Sequence, residues 1–353
     1  MKKATKKLCS AAVVLAFGVA SFAQSISVTN IFGGNADNTP ASDLLSFDKD
    51  FNRAEMNVGD RVQLDVSSEK LESRVRLDFS IPKTDGKNAS VRLRGYVGYK
   101  PFDFVTIAVG NNFFSKYGIS AARLCAADDY TQYGKLIDND GAGVIFNVAG
   151  VKVAGALASE SRMNLNFGVS YEIENVAGFG ITAQDVTEDS RSLSAFASLL
   201  AVENLSLNAG YTYNYANTSY LGSTQQAVQV SGGYNFADLG LGLYGDVQLG
   251  LNKVKGDGSK AEYVLDEGAN GLALPLYVGL RASYKASDVV SATLSTSVKS
   301  IPEGKGSLAV NVYPYVDLDT GVGTFRSGVR VNFNEDGFAG LSIPVSWQYK
   351  MKF

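Results

Sequence analysis

The sequence predicts an all-β protein, a transmembrane up-and-down antiparallel barrel of 16–18 strands. Three observations predict it. Apolar and polar residues alternate strictly over nine to eleven positions in several segments. Beyond the N-terminal leader no apolar run approaches the length of about 18 residues that a spanning helix needs. The 353 residues include 37 Gly, 18 Tyr and 19 Phe but only 7 Pro, which suits many strands joined by tight turns. At 45% hydrophobic and 19% charged, the chain is also outside the disordered class.

The first 23 residues carry Lys2, Lys3, Lys6 and Lys7 with no acid, then an apolar run from Ala11 to Ala20, then Ser21-Phe22-Ala23. That is the pattern of a secretory signal peptide, with cleavage expected between Ala23 and Gln24. Its removal would leave residues 24–353 as a single barrel domain and take the formal net charge from −3 to −7, because four lysines leave with it. Cys9 lies in the charged part of the leader, so no lipid anchor is expected, and Cys125 alone cannot form an internal disulfide.

The alternation is clearest in Arg61-Val62-Gln63-Leu64-Asp65-Val66, in Arg74-Val75-Arg76-Leu77-Asp78-Phe79, and in the stretches 163–171 and 205–215. A tilted strand crosses the hydrocarbon in about 9–11 residues. A soluble antiparallel sheet shows the same alternation at shorter length and is the alternative. Candidate strands lie near 25–32, 58–68, 71–81, 89–99, 102–110, 141–149, 151–159, 162–173, 178–186, 191–202, 204–216, 225–236, 239–251, 273–285, 288–299, 306–317, 322–334 and 339–353. Merging elements around 151–186 would give 16. Connections after even-numbered strands are short, such as Glu69-Lys70 and Lys100-Pro101, whereas 33–57, 111–140, 217–224 and 252–272, after odd-numbered strands, are long. Segregation by parity is what a closed up-and-down barrel requires. Tyr171, Tyr234, Phe236 and Tyr284 beside short turns, with Tyr213 and Tyr215 beside a long loop, would form two interfacial girdles.

The last strand places Leu341, Ile343, Val345, Trp347, Tyr349, Met351 and Phe353 on one face, with Pro344 as a position for a bulge. This ending resembles the C-terminal targeting strand of Gram-negative outer-membrane barrel proteins. The resemblance implies recognition of Trp347, Tyr349, Met351 and Phe353 by the barrel-assembly machinery, and a place among outer-membrane lipids.

If apolar residues face lipid, the opposite parity brings Arg61, Arg74, Arg76, Arg92 and Arg94 together on three successive strands as a basic inner wall. Arg61, Arg76 and Arg94 fall near mid-height. Crowding guanidinium groups is unfavourable, and acids across a water-filled bore would offset it. The 111–140 segment holds Asp128, Asp129, Asp138 and Asp140. The arrangement is similar to that of general diffusion porins, in which a long third external loop folds into the bore and faces an arginine ladder. That resemblance implies a constriction made by Asp128 and Asp129 against Arg61, Arg74, Arg76, Arg92 and Arg94. Elsewhere Asn164, Asn166, Ser206, Asn208, Thr212, Gln229, Ser231, Ser295 and Ser297 make the bore hydrophilic, with Arg281, Arg326 and Arg330 as further bases. Segment 33–57 is expected to be an external loop, too short and polar to plug the bore.

The absence of His removes the usual general base of barrel hydrolases, and no spaced carboxylate run suits a metal. No catalytic residue, cofactor, metal or nucleic-acid partner is expected. The expected function is passive diffusion of small hydrophilic solutes and ions, with a homo-oligomer left open. Two alternatives stand: a barrel whose external loops act in adhesion or surface interaction, and a substrate-selective or hydrophobic-compound channel.

Overall fold

A computed structural model describes residues 25–33, 43–50, 54–82, 90–111, 140–159, 163–184, 186–187, 192–214, 226–251, 255–256, 261–262, 276–300 and 308–352. The leader 1–23, Asp128, Asp129 and Phe353 lie outside the described residues. The described chain forms a closed antiparallel barrel of 18 strands, the upper end of the range the sequence predicts. Strand β1 runs Ser25–Gly33 and resumes in line as Asp43–Asp48. Then follow β2 (Ala54–Ser67), β3 (Leu71–Pro82), β4 (Ser90–Phe102), β5 (Val105–Asn111), β6 (Asp140–Val148), β7 (Val151–Ser159), β8 (Met163–Ile173) and β9 (Ala177–Gln184). The second half comprises β10 (Ser192–Leu199), β11 (Leu205–Asn214), β12 (Gln226–Phe236), β13 (Leu241–Gly250), β14 (Leu276–Lys285), β15 (Val290–Ser300) and β16 (Leu308–Asp319). Strand β17 is split into Thr324–Gly328 and Arg330–Asn334, and β18 (Gly337–Lys352) closes the ring against β1. A short hairpin, Lys255–Gly256 with Ala261–Glu262, stands outside the barrel sheet.

The period-2 pattern decides which face is which. Outward positions hold exposed apolar side chains, among them Ile107, Val109, Val169, Ile181, Val230, Leu280 and Leu294. Inward positions are polar and buried: Thr182, Ser194 and Thr212 are register neighbours on β9, β10 and β11, and Asn208, Ser231 and Asp246 on β11, β12 and β13. Hydroxyls and amides join across strands, as in Ser194 Oγ with Thr212 Oγ1 at 2.9 Å and Asn208 Nδ2 to Ser231 Oγ at 3.3 Å. A soluble domain would bury the apolar set; here it is the polar set that is turned inward.

Local chemistry closes the short turns on the even side. Ala149 and Gly150 join β6 to β7 with φ of 49° and 82°, the pair of positive values that a two-residue hairpin matched to strand twist demands. A Cβ on Gly150 would also meet the Glu172 carbonyl oxygen at 2.6 Å. Between β14 and β15, Ser287 Oγ accepts from the Val290 amide at 3.1 Å, and Lys285 Nζ donates to Asp288 at 2.7 Å. That ammonium holds the Asp288 carboxyl below the usual carboxylate range. Exposed aromatics gather at this end: Tyr99, Phe102 and Phe104 on β4 and its turn, then Tyr171, Tyr234, Phe236 and Tyr284. Of the other expected girdle residues, Tyr213 is half-buried and Tyr215 lies outside the described residues.

Two expectations need correction. Segment 33–57 is not wholly a loop: Asp43–Asp48 pairs with β18 and with the start of β2, which already begins at Ala54, so both pieces extend the wall of the barrel. Beside its long connections the odd side also has short ones, at 160–162 and 335–336. The irregularity expected at Pro344 falls on the strand beside it, where the register shifts between Asp43 and Leu45. Pro344 has a second effect. With Pro314 it flanks Gly328 and Val329, so two donors are missing from the ladder where β17 is interrupted.

Sidedness is checked by substitution at mid-strand. Leu280→Arg, on the outward face of β14, is expected to destabilise the lipid-inserted barrel by about 2–4 kcal/mol. Ser297→Ala, on the inward face of β15, should cost under about 1 kcal/mol. Denaturant titration in phospholipid vesicles measures both.

Candidate functional site: the basic inner wall

Strands β2, β3 and β4 pair without a shift through their middle, and this register builds the site. Arg61 is opposite Asp78, Gln63 opposite Arg76, and Asp65 opposite Arg74; across the next ladder Arg74 is opposite Tyr96, Arg76 opposite Arg94, and Asp78 opposite Arg92. Register partners share a face, so all five predicted arginines belong to one wall.

Within it, three converge. Arg61 Nε donates to Asp78 Oδ1 at 2.7 Å, Arg76 Nε to the same oxygen at 2.8 Å, and Arg94 Nε lies 3.8 Å from Asp78 Oδ2. Asp78 is only 5% exposed at the centre of this group. Arg74 belongs to a second, wetter group one level nearer the short turns. Its Nε donates to Asp65 Oδ1 at 2.6 Å, Gln63 Nε2 donates to Asp65 Oδ2 at 2.7 Å, and Asp65 is 25% exposed. The Arg74 guanidinium lies 5.9 Å from the Tyr96 ring centre, and Tyr96 Oη donates to Glu72 at 2.9 Å. Arg92 is exposed toward the long-loop end.

From the sequence, counter-charges are expected across the bore. Among the described residues, Asp65 and Asp78 of the wall itself meet Arg61, Arg74, Arg76 and Arg94, while Asp128 and Asp129 lie outside the described residues. Asp65 and Asp78 stand in the quoted alternating segments, in phase with Arg61, Arg74 and Arg76, so the signal was present. A register, which a single sequence does not supply, was needed to see Arg61 and Asp78 as partners. Both carboxylates keep the guanidinium groups apart and fix their forks toward the lumen.

Basic side chains continue around the ring. On β16 and β17, Arg326 forms two hydrogen bonds to Asp317 at 2.6 and 2.8 Å and lies over the Tyr315 ring at 4.3 Å; Arg330 lies over Tyr313 at 4.9 Å. Arg281 on β14 lies over Tyr244 at 4.6 Å. The inward positions of β5–β13 carry only Lys152, Glu172 and Asp246 as charges among the described residues. Among the described residues the inward face is therefore basic on one half of the ring and nearly neutral on the other. Sequence parity found Arg281, Arg326 and Arg330 but missed Asp317 and the tyrosines they stack on.

The last strand keeps its apolar stripe on the outward parity as far as it is described. Trp347, Tyr349 and Met351 face outward, and Trp347 sits in a row with Phe325 of β17 and Phe32 of β1.

Removing the central carboxylate leaves three guanidinium groups facing one another in a poorly solvated corner. Asp78→Asn is expected to cost about 3 kcal/mol of barrel stability, whereas Asp65→Asn should cost about 1 kcal/mol because water already screens that pair. Thermal unfolding in detergent ranks the two variants.

Neither a protein-family model nor a curated protein sequence matches this chain. Solved structures do match in fold. The outer membrane protein OpdK of Pseudomonas aeruginosa superposes with a TM-score of 0.58 at 10% identity, covering 93% of this chain and 98% of that one. The same OpdK solved with vanillate gives a TM-score of 0.55, also at 10% identity and with the same coverage. A BenF-like porin of Pseudomonas fluorescens Pf-5 has a TM-score of 0.58 at 10% identity, covering 95% of this chain and all (100%) of that one. At such identity the shared property is the fold, a porin-like barrel.

Proposed function

We propose that this protein is an outer-membrane pore through which small hydrophilic solutes and ions diffuse passively, with anions favoured. The observation that carries the reading is the wall of β2–β4, where Arg61, Arg76 and Arg94 surround one carboxylate on the inward face of an 18-strand barrel. A ring of that size leaves an aqueous channel. Among the described residues the Asp78 group sets three cations against one anion, and the inward positions of β5–β13 add only Lys152, Glu172 and Asp246, a balance that raises the local concentration of anions by ordinary electrostatics. Asp128 and Asp129, if carried into the bore by their loop, would narrow it and oppose that preference.

The leader 1–23 supports export, and the outward apolar stripe of β18 supports insertion among lipids. Trp347, Tyr349, Met351 and Phe353 are the residues for the barrel-assembly machinery to read. Passage by diffusion needs no cofactor and no chemical step. A substrate-selective channel is the second reading. It is favoured by the Arg326 and Arg330 stacks on Tyr315 and Tyr313, and by a fold neighbour having been solved with vanillate.

Purified protein in planar bilayers should give discrete current steps and, in a KCl gradient, a zero-current potential of the anion-preferring sign. Replacing Arg76 and Arg94 by Gln should lower the anion-to-cation permeability ratio about fivefold, the equivalent of about 1 kcal/mol of Coulomb energy. A folded barrel that stays silent overturns the pore; a ratio indifferent to both substitutions overturns the role of the wall.

A further inference from the structure

Below the arginine cluster, where the bore meets the short turns, the wall contains a cavity of about 350 Å³ between β1, β2, β3 and β18. We propose that this cavity is a binding subsite for phosphate-class oxyanions at the turn-side mouth of the pore, distinct from the Arg61–Arg76–Arg94 group. The inference rests on the pore reading and adds a ligand chemistry and a location to it.

Its cationic lining comes from Arg74, Lys350 and Lys352. Lys350 and Lys352 lie on the inward parity of β18, opposite Thr29 and Ser27 of β1, and both are exposed. Neither makes an ion pair or hydrogen bond among the described residues. The acids of the cavity are Asp65 and Glu72. Both are already engaged, Asp65 by Arg74 and Gln63 and Glu72 by the Tyr96 hydroxyl. The acids are thus held by neighbours on β2–β4 while the two ammonium groups across β1 point into the same space unmatched.

Hydroxyl donors complete the lining. Ser25 Oγ and Ser67 Oγ share a hydrogen bond of 2.7 Å, and Ser27 stands between Asp65 and Lys352 in the row across β2, β1 and β18. A phosphate group offers three strong acceptor oxygens and a charge of about −1.5 to −2, and so can engage two ammonium groups and a hydroxyl at once. Chloride offers one centre and a single charge. The mobile ammonium groups, carried on flexible stems, suit a hydrated ion that must be released again rather than a ligand held by a rigid fork. The cavity exceeds one inorganic phosphate in size, so a phosphate monoester with a small organic group is admissible.

The test uses the full mature barrel in planar bilayers, with KCl carrying the current and inorganic phosphate added to one side at a time. Native protein should show a saturable reduction of chloride current, reached at lower phosphate concentration from the turn side. Lys350→Gln with Lys352→Gln should raise the half-blocking phosphate concentration about tenfold, equal to about 1.4 kcal/mol. Arg76→Gln should alter ion preference but leave the half-blocking concentration within about twofold. If the double variant fails to fold, Lys350→Glu alone should weaken the block in the same sense. Native current unaffected by phosphate, or a block unchanged in the lysine variants, overturns the subsite while leaving the pore intact. A silent barrel overturns the pore reading itself.

Discussion

In hydrocarbon no water is at hand to satisfy a backbone amide or carbonyl, and a sheet can lie there only if it has no free edge. That constraint governs this molecule. Closure of β18 onto β1 is its solution, made by two collinear pieces of β1 that together span the height of the last strand. Once the ring is closed, alternate side chains must point to opposite solvents, and every other property of the protein follows from which residues occupy each parity.

The inner wall shows how charge is managed under that rule. Guanidinium groups on adjacent strands would repel, and β2–β4 place Asp65 and Asp78 among them so that each carboxylate bridges strands. Asp65 and Asp78 thereby offset locally part of the cost of withdrawing these ions from bulk water. Because the bridges are lateral, the basic face still presents net positive charge to the passage. Tyr315 and Tyr313 add ring faces to the same end for Arg326 and Arg330, beside the Asp317 carboxylate that Arg326 also holds.

Much of this was visible in the sequence because a strand has a period of two residues and side chains report it directly. Parity and strand spacing alone put Arg61, Arg76 and Arg94 on one patch, and the structure brings them to a single carboxylate. Strand number survived the uncertainty around 151–186, since short hairpins such as Ala149-Gly150 leave strong local signals. What parity could not supply was register. Asp78 looked like one more inward charge until its alignment with Arg61 was known, and Asp43–Asp48 looked like loop because its pairing partner lies some three hundred residues away in β18. Long-range pairing of this kind leaves no mark in neighbouring residues.

The interrupted seventeenth strand has a mechanical meaning. Pro314 and Pro344 each withhold a donor from the ladder at Gly328 and Val329, from opposite sides. A hooped shell with stitches missing along one line flexes about that line first. Here the two hydrogen bonds of Arg326 to Asp317 cross the β16–β17 seam from the inside, a side-chain clasp beside the place where the backbone stitching thins.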